Sequence, residues 1–409
     1  MTMRIWLINH YAVPPQYYPL ARPSLFAKNL IMMGHDVTII AASTVHNSDI
    51  NLIEGREKVK KFIDDGIPYI LIRCSDYQGN GAKRVINILE FARKLPRVLD
   101  TIEKPDAIVA TSFDPLSCYA GIKYAKKRGI KAVAEIADLW PETLVAYNGL
   151  KPSNPIVKFL RSIEKNIYTQ ADRVVFTMEG AYDYIVEQGW DVEIPREKVE
   201  FINNGIEIKE FDTNRETYTV QDADLNDDSV FKVVYTGAVR KVNNLGLILD
   251  AAKLITDPQV RILIWGDGDE LEYLKKRVTD EKITNVSLKG KVPKRFVPYI
   301  TSKADLNILH NSETPIMRFG LSLNKMFDYM AAGKPILVDF HGNNNPVIDN
   351  AAGIETDGNT ASNIANGIIY IKSLPDQDKI NLGFSARKTA EKYDFDLLTD
   401  KLIRVIESI

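Results

Sequence analysis

Short apolar runs alternate with helical patterns along this chain, and the alternation stops once and then restarts. Met3–Asn9 is an apolar run that ends in a polar loop, as a strand buried on both faces would. Ser24 to Met33 follows as a helix, with Leu25, Leu30 and Met33 at helical spacing, Ser24 placed to cap it and Gly34 to stop it. Further strands are predicted at Val37–Ala41, Ala107–Ala110, Ala132–Ile136 and Arg173–Thr177, with helices at Leu116–Lys127 and Ile156–Gln170. After Asn204–Gly205 comes "DTNRETYTVQDADLNDDS", acidic, polar and poor in large apolar residues, which reads as a linker. The pattern then resumes with strands at Phe231–Tyr235, Val260–Trp265, Val286–Leu288, Ala304–Leu309 and Ile336–Val338. Helices are predicted between them at Leu245–Ile255 and Glu270–Val278. Strands alternating with helices require a parallel sheet covered on both faces. The expected class is α/β, with two parallel sheets in series and the site in a cleft between them, at the strands' carboxyl ends.

Length agrees with this division, since 409 residues are too many for one core and fit two domains. A formal net charge of −2 excludes bulk attraction to nucleic acid, so any basic patch is local. Cys74 and Cys118 are far apart and form no C-x-x-C pair, which gives neither a disulfide framework nor a zinc site and fits a reducing compartment. The first residues do not read as a signal peptide, and no segment is apolar for long enough to span a membrane. The expected location is the cytoplasm or the inner face of the cell membrane. His35, His46, His310 and His341 have no ligand-like spacing, so no metal is expected.

Three stretches of the second half carry a phosphate-binding chemistry in chain order. In "YTGAVRKVNNLGLILDAA" a strand ends at Tyr235, and Gly237, Arg240 and Lys241 lie in the loop before a helix. Small residues there let the backbone approach a pyrophosphate, and two cations would neutralise it; a solvated Arg-Lys pair on an ordinary turn has the same spacing. In "LIWGDGDELEYL", Gly266, Asp267 and Gly268 follow an apolar strand, which also suits a tight strand-to-helix turn. In "RFGLSLNKMFDYMAAGKPIL", Gly320, Leu321, Ser322, Leu323 and Asn324 precede a helix that Ser322 would cap. Its free N–H groups would hold an anion, and Asp328, one turn on, could accept both hydroxyls of a ribose; a capped surface helix with one exposed acid has the same pattern. No G-x-G-x-x-G follows the first strand, which disfavours a dinucleotide-dependent dehydrogenase.

These motifs, in this order, resemble the donor half of the GT-B glycosyltransferases, specifically the large retaining family 4. "VEFINNGIEIKEF" is similar to that family's interdomain segment, and the stretch ending in Asp328 to its E-x7-E region. Asp328 stands for the second glutamate, Gly320 for the first, and Leu323 for a proline of a bacterial surface-polysaccharide subgroup. In the first half, "AVAEIADLWPETLVAYNGL" resembles a segment of the same subgroup.

The resemblance implies two Rossmann-like domains facing a central cleft. Residues 1–205 would bind the acceptor, 206–391 the donor, and a last helix at about 392–409 would pack back on the first. It implies a UDP-sugar as co-substrate, no cofactor, retention of anomeric configuration, and a glycan or lipid-linked saccharide as acceptor. Donor binding falls to Gly237, Gly266, Asp267, Gly268, Val292, Gly320–Asn324 and Asp328, and catalysis to Asp138, Arg240 and Lys241. Acceptor binding falls to His10, Tyr11, Tyr17, Arg22, Trp140 and Glu142. A nucleotide-sugar epimerase and a non-catalytic sugar-nucleotide-binding protein are the alternatives. Lys83 to Leu99 is basic and amphipathic, with Val85, Ile88, Leu89, Ala92 and Leu95 on one face. It suits either an anionic membrane surface or a core-packed helix with a basic outside.

Overall fold

A computed structural model of the protein describes residues 2–17, 21–46, 48–79 and 81–409. The chain divides into two compact units, one of Met1–Asn203 with Phe395–Ile409 and one of Asn204–Asp394.

The first unit begins with β1 (Arg4–Ile8), α1 (Ala21–Met32), β2 (Asp36–Ala42), β3 (Val59–Asp64), β4 (Ile67–Ile72) and α2 (Ala82–Leu99). It continues through β5 (Ala107–Thr111), α3 (Pro115–Arg128), β6 (Lys131–Ile136), α4 (Glu142–Asn148) and α5 (Pro155–Gln170). Next come β7 (Arg173–Phe176), α6 (Ala181–Glu187) and β8 (Val199–Phe201). The second unit opens with α7 (Ile208–Thr217), β9 (Phe231–Thr236), α8 (Gly246–Leu254), β10 (Val260–Trp265), α9 (Leu271–Asp280) and β11 (Val286–Gly290). Its other half is α10 (Val297–Lys303), β12 (Leu306–Leu309), α11 (Asn324–Ala331), β13 (Ile336–Val338) and α12 (Pro346–Asp349). β14 (Gly353–Glu355), α13 (Ala361–Ser373) and α14 (Asp376–Glu391) complete it, and α15 (Phe395–Glu407) returns to the first unit.

Among the described residues the first sheet has the order β3-β4-β2-β1-β5-β6-β7-β8 and the second β11-β10-β9-β12-β13-β14. Every pairing is parallel except β3 with β4. The chain builds outward from β1 in one direction, then returns to add β5 on its other side. The second sheet does the same at β9 and β12. Each reversal parts two neighbouring βα loops at the carboxyl edge, which is where ligands sit in open α/β sheets. The residues after β1, β5, β9 and β12 therefore lie at these two edges.

Four expectations need correction. The first helix starts at Ala21, so Ser24 lies inside it rather than at its N-cap. A hairpin of β3 and β4 went unread, although Asp65–Gly66 has positive φ at both positions (45° and 76°) and Asp-Gly is a strong hairpin signal. The first third of the expected linker is helix, because α7 has one buried anchor, Phe211, which packs with Met326, Phe327 and Met330. On α2 the buried face is Asn87, Phe91, Leu95, Val98 and Leu99, while Val85 and Leu89 point outward.

Candidate active site

At the carboxyl edge of the second sheet, two loops are pressed together through glycine. A Cβ on Gly266 would lie 1.8 Å from the Gly237 carbonyl oxygen, and one on Gly268 2.2 Å from that of Val239. Val239 N donates to the Asp267 carbonyl (2.9 Å) and Glu270 N to the Val239 carbonyl (3.1 Å), so the loops form one layer. Asp267, Arg240 and Lys241 are exposed on it, and Val292 is half-buried. Among the described residues no carboxylate lies within ion-pairing distance of Arg240 or Lys241.

The third element is α11. Tyr329, fully buried on it, accepts from Thr236 N (2.8 Å) and donates to the Thr236 carbonyl (3.1 Å), which locks the helix to the end of β9. Its N-cap is Leu323, not Ser322. The Ser322 hydroxyl instead accepts from Asn204 N (3.2 Å), and the Ser322 carbonyl accepts from Asn204 Nδ2 (3.0 Å). The N–H groups of Ser322, Leu323 and Asn324 have no partner among the described residues, as an anion site at a helix start requires. Leu321 and Leu323 put their side chains into or against the core, so only their backbone can face a ligand. Gly320 has φ 112° and ψ 172°, a backbone that L side chains rarely adopt; a glutamate there would be strained. Asp328 is 4% exposed and pairs with the ammonium of Lys294, itself well exposed and free to swing away.

The first sheet ends differently. His10 is 1% exposed; its Nε2 faces Asn87 Oδ1 (2.7 Å) and its Nδ1 lies 3.4 Å from Ser117 Oγ. Asn87 Nδ2 already donates to Thr44 Oγ1 and the Ser75 carbonyl, so Asn87 Oδ1 must accept a proton on His10 Nε2. Burial pushes His10 down to about 3. It is a wired, neutral core histidine, which corrects its reading as an acceptor ligand. Arg22 is corrected too: it belongs to α1, is 5% exposed, and donates to Glu135 Oε1 (2.9 Å) and to the carbonyls of Asn203 (2.6 Å) and Ile202 (2.9 Å). Thr111 Oγ1 donates to the other Glu135 oxygen (2.8 Å).

Tyr11 is nearly buried, and its hydroxyl accepts from Arg84 Nε (3.0 Å) and Nη2 (2.9 Å). Arg84 went unread as a site residue because its helix looked basic on its outer side. Tyr17 is 43% exposed, and residues 18–20 of its loop lie outside the described residues. Glu142, the first residue of α4, pairs with Arg161 Nη2 (2.7 Å) and is tied to α5 rather than open to a ligand.

Asp138 lies past the end of β6. Its carboxylate is open to solvent yet closely surrounded, and it makes no hydrogen bond among the described residues. Desolvation pushes it up to about 6, against the pull of Arg84. Two residues on, the indole N–H of Trp140 is buried without a partner among the described residues.

Known proteins match on both units. The model of Glycosyltransferase Family 4 matches residues 25–210, and that of Glycosyl transferases group 1 matches residues 220–389. The chain belongs to glycosyltransferase family 4. The probable glycosyltransferase WbjE of Pseudomonas aeruginosa is 26% identical over 211 residues, 51% of each chain. The family 4 chain thus spans about half the length of this curated relative. HepE from Anabaena, solved in complex with UDP, superposes over 100% of both chains with a TM-score of 0.67 and 13% identity. Sucrose-phosphate synthase from Thermosynechococcus elongatus covers 99% of this chain and 98% of its own, with a TM-score of 0.75 and 17% identity. At these identities the likeness shows the fold, which is GT-B.

Proposed function

We propose that this glycosyltransferase moves a sugar from a UDP-sugar to a hydroxyl of a glycan or a polyprenyl-diphosphate-linked saccharide, in the building of a bacterial surface polysaccharide. The observation that carries the donor reading is the carboxyl edge of the second sheet. Two interlocked glycine loops, two uncompensated cations and three unpartnered N–H groups there suit a diphosphate. UDP is preferred because HepE, of the same fold, was solved with it. Asp328 would release Lys294 and take the ribose hydroxyls.

The C–O bond between the anomeric carbon and the diphosphate breaks, and the acceptor oxygen bonds to the same face. The acceptor's proton passes to the departing phosphate oxygen, and no resident metal is invoked. Arg240, Lys241 and the N–H groups of Ser322–Asn324 would stabilise the leaving charge. Asp138 and the Trp140 indole would position the acceptor.

No helix among the described residues is long and apolar enough to cross a membrane. The outward side of α2 nevertheless carries Val85, Ile86 and Leu89, each about half exposed, beside exposed Lys83, Arg93 and Arg97. An apolar stripe edged by cations fits an anionic lipid surface, where a lipid-linked acceptor would reside.

The test is UDP release from a panel of UDP-sugars, with and without lipid acceptors extracted from a bacterial envelope. Acceptor-dependent release is expected. UDP binding without hydrolysis or transfer to any such acceptor would instead favour a non-catalytic binding protein.

A further inference from the structure

Lys325 is the second residue of α11, and the sequence reading gives it no role. Its Nζ donates to the His310 carbonyl (2.8 Å) and to the Tyr235 hydroxyl (3.1 Å), 4.5 Å from the centre of the Tyr235 ring. The Tyr235 hydroxyl in turn donates to the Ala238 carbonyl (3.0 Å), and a Cβ on Gly237 would lie 3.0 Å from it. The ammonium therefore sits directly beneath the glycine loop. It is reached from β9, β12 and α11, the elements that meet at the chain reversal of the second sheet.

The charges around it do not balance. Both acceptors of Lys325 are neutral. The acid that faces it, Asp339 at the end of β13, is wholly buried and bonded to His310 Nδ1, while His310 Nε2 lies 3.1 Å from the Asn244 carbonyl. An imidazole with an acceptor at each nitrogen needs two N–H groups, unless the acid carries the proton itself. Asp339 is thus shared between His310, which it bonds, and Lys325, which it only faces. Tyr235 is held protonated, since burial raises its pKa. Lys325 is left as a half-buried cation that makes no ion pair among the described residues, and one of its three N–H groups has no acceptor there. Charges taken out of water are normally paired, and an ammonium whose one facing acid is bonded to His310 has a place for a second anion.

We propose that Lys325 is a further donor-binding residue, its ammonium taking a phosphate oxygen of the nucleotide diphosphate from below the Gly237 loop. This rests on the reading of the second unit as the nucleotide-sugar site. Arg240 and Lys241, both exposed, would then close over the diphosphate from the solvent side.

Burial pushes Lys325 down to about 8, opposed by Asp339. A bound diphosphate favours the charged form, so affinity should fall as pH rises through that value. Isothermal titration with UDP and with uridine separates phosphate contacts from base contacts. Lys325→Met should weaken UDP by about 10–100-fold, the range for a charge-assisted hydrogen bond, and leave uridine within about twofold. Lys325→Arg should recover part of the loss. Wild-type affinity for UDP should drop between pH 7 and 9 while that for uridine stays level, a readout that needs no variant to fold. A UDP affinity that is flat with pH, or a folded Lys325→Met that binds UDP like the wild type, overturns this assignment alone. A wild-type chain that binds no UDP overturns the donor-site reading with it.

Discussion

Both sheets end in a chain reversal at their carboxyl edge, yet the two edges are made of different material. The second is built from backbone: Gly266 and Gly268 lie where any side chain would strike a carbonyl, and N–H groups are left open at the start of α11. The first is built from side chains that satisfy one another, His10 with Asn87, Tyr11 with Arg84, and Arg22 with Glu135. A backbone-lined edge has a fixed shape and suits a constant group such as a diphosphate. An edge lined by side chains can vary by substitution, which suits an acceptor that differs from one enzyme to the next. Asp138, open and without a hydrogen bond among the described residues, is an exception on the side-chain edge, and it marks where chemistry is expected.

Four experiments would break or sharpen this contrast. The largest effect should come from Arg22→Ala, which strands a buried Glu135 carboxylate and should cost about 3–5 kcal/mol in denaturant unfolding. Unchanged stability with a raised acceptor KM would return Arg22 to the acceptor site. On the backbone edge, Gly266→Ala should lower stability by about 3 kcal/mol, since the clash is with backbone and no flexible side chain can yield. A thermal melt that matches the wild type would show that the two loops can part cheaply. Asp138→Asn should slow transfer by about 100-fold, the usual scale for a positioned carboxylate. The sign of its pH dependence follows from which form works: the carboxylate is lost as pH falls through about 6, so the wild-type rate should drop there and the variant's should not. Smallest is the outward side of α2, where Val85→Ser with Leu89→Ser should reduce cosedimentation with anionic vesicles by about tenfold. Equal partitioning would leave that stripe without a lipid role.

The sheets were legible because parallel strands buried on both faces are near-continuous apolar runs, and those runs stood out in both halves. The β3–β4 hairpin was lost because it is half polar, with Lys60 and Lys61 exposed at an edge. The glycine loops and α11 were readable from local sequence, since backbone demands are local. Arg22 was misread for the opposite reason. Its partners lie more than 100 residues away in the chain, at Glu135, Ile202 and Asn203, and nothing beside it announces them. Lys325 has no role in the sequence reading on the same account, because the acid it faces is bonded to His310 only once the fold brings the three together.

The last helix has a consequence for how the protein is made. α15 packs with α1, and Leu398, Leu402, Ile403 and Ile406 share a core with Ile5, Leu7 and Phe26. The residues that finish the first unit thus leave the ribosome after the whole second unit. Domains usually fold in order of synthesis. Here the second can be complete while the first still waits, exposing part of its apolar surface, for its final segment.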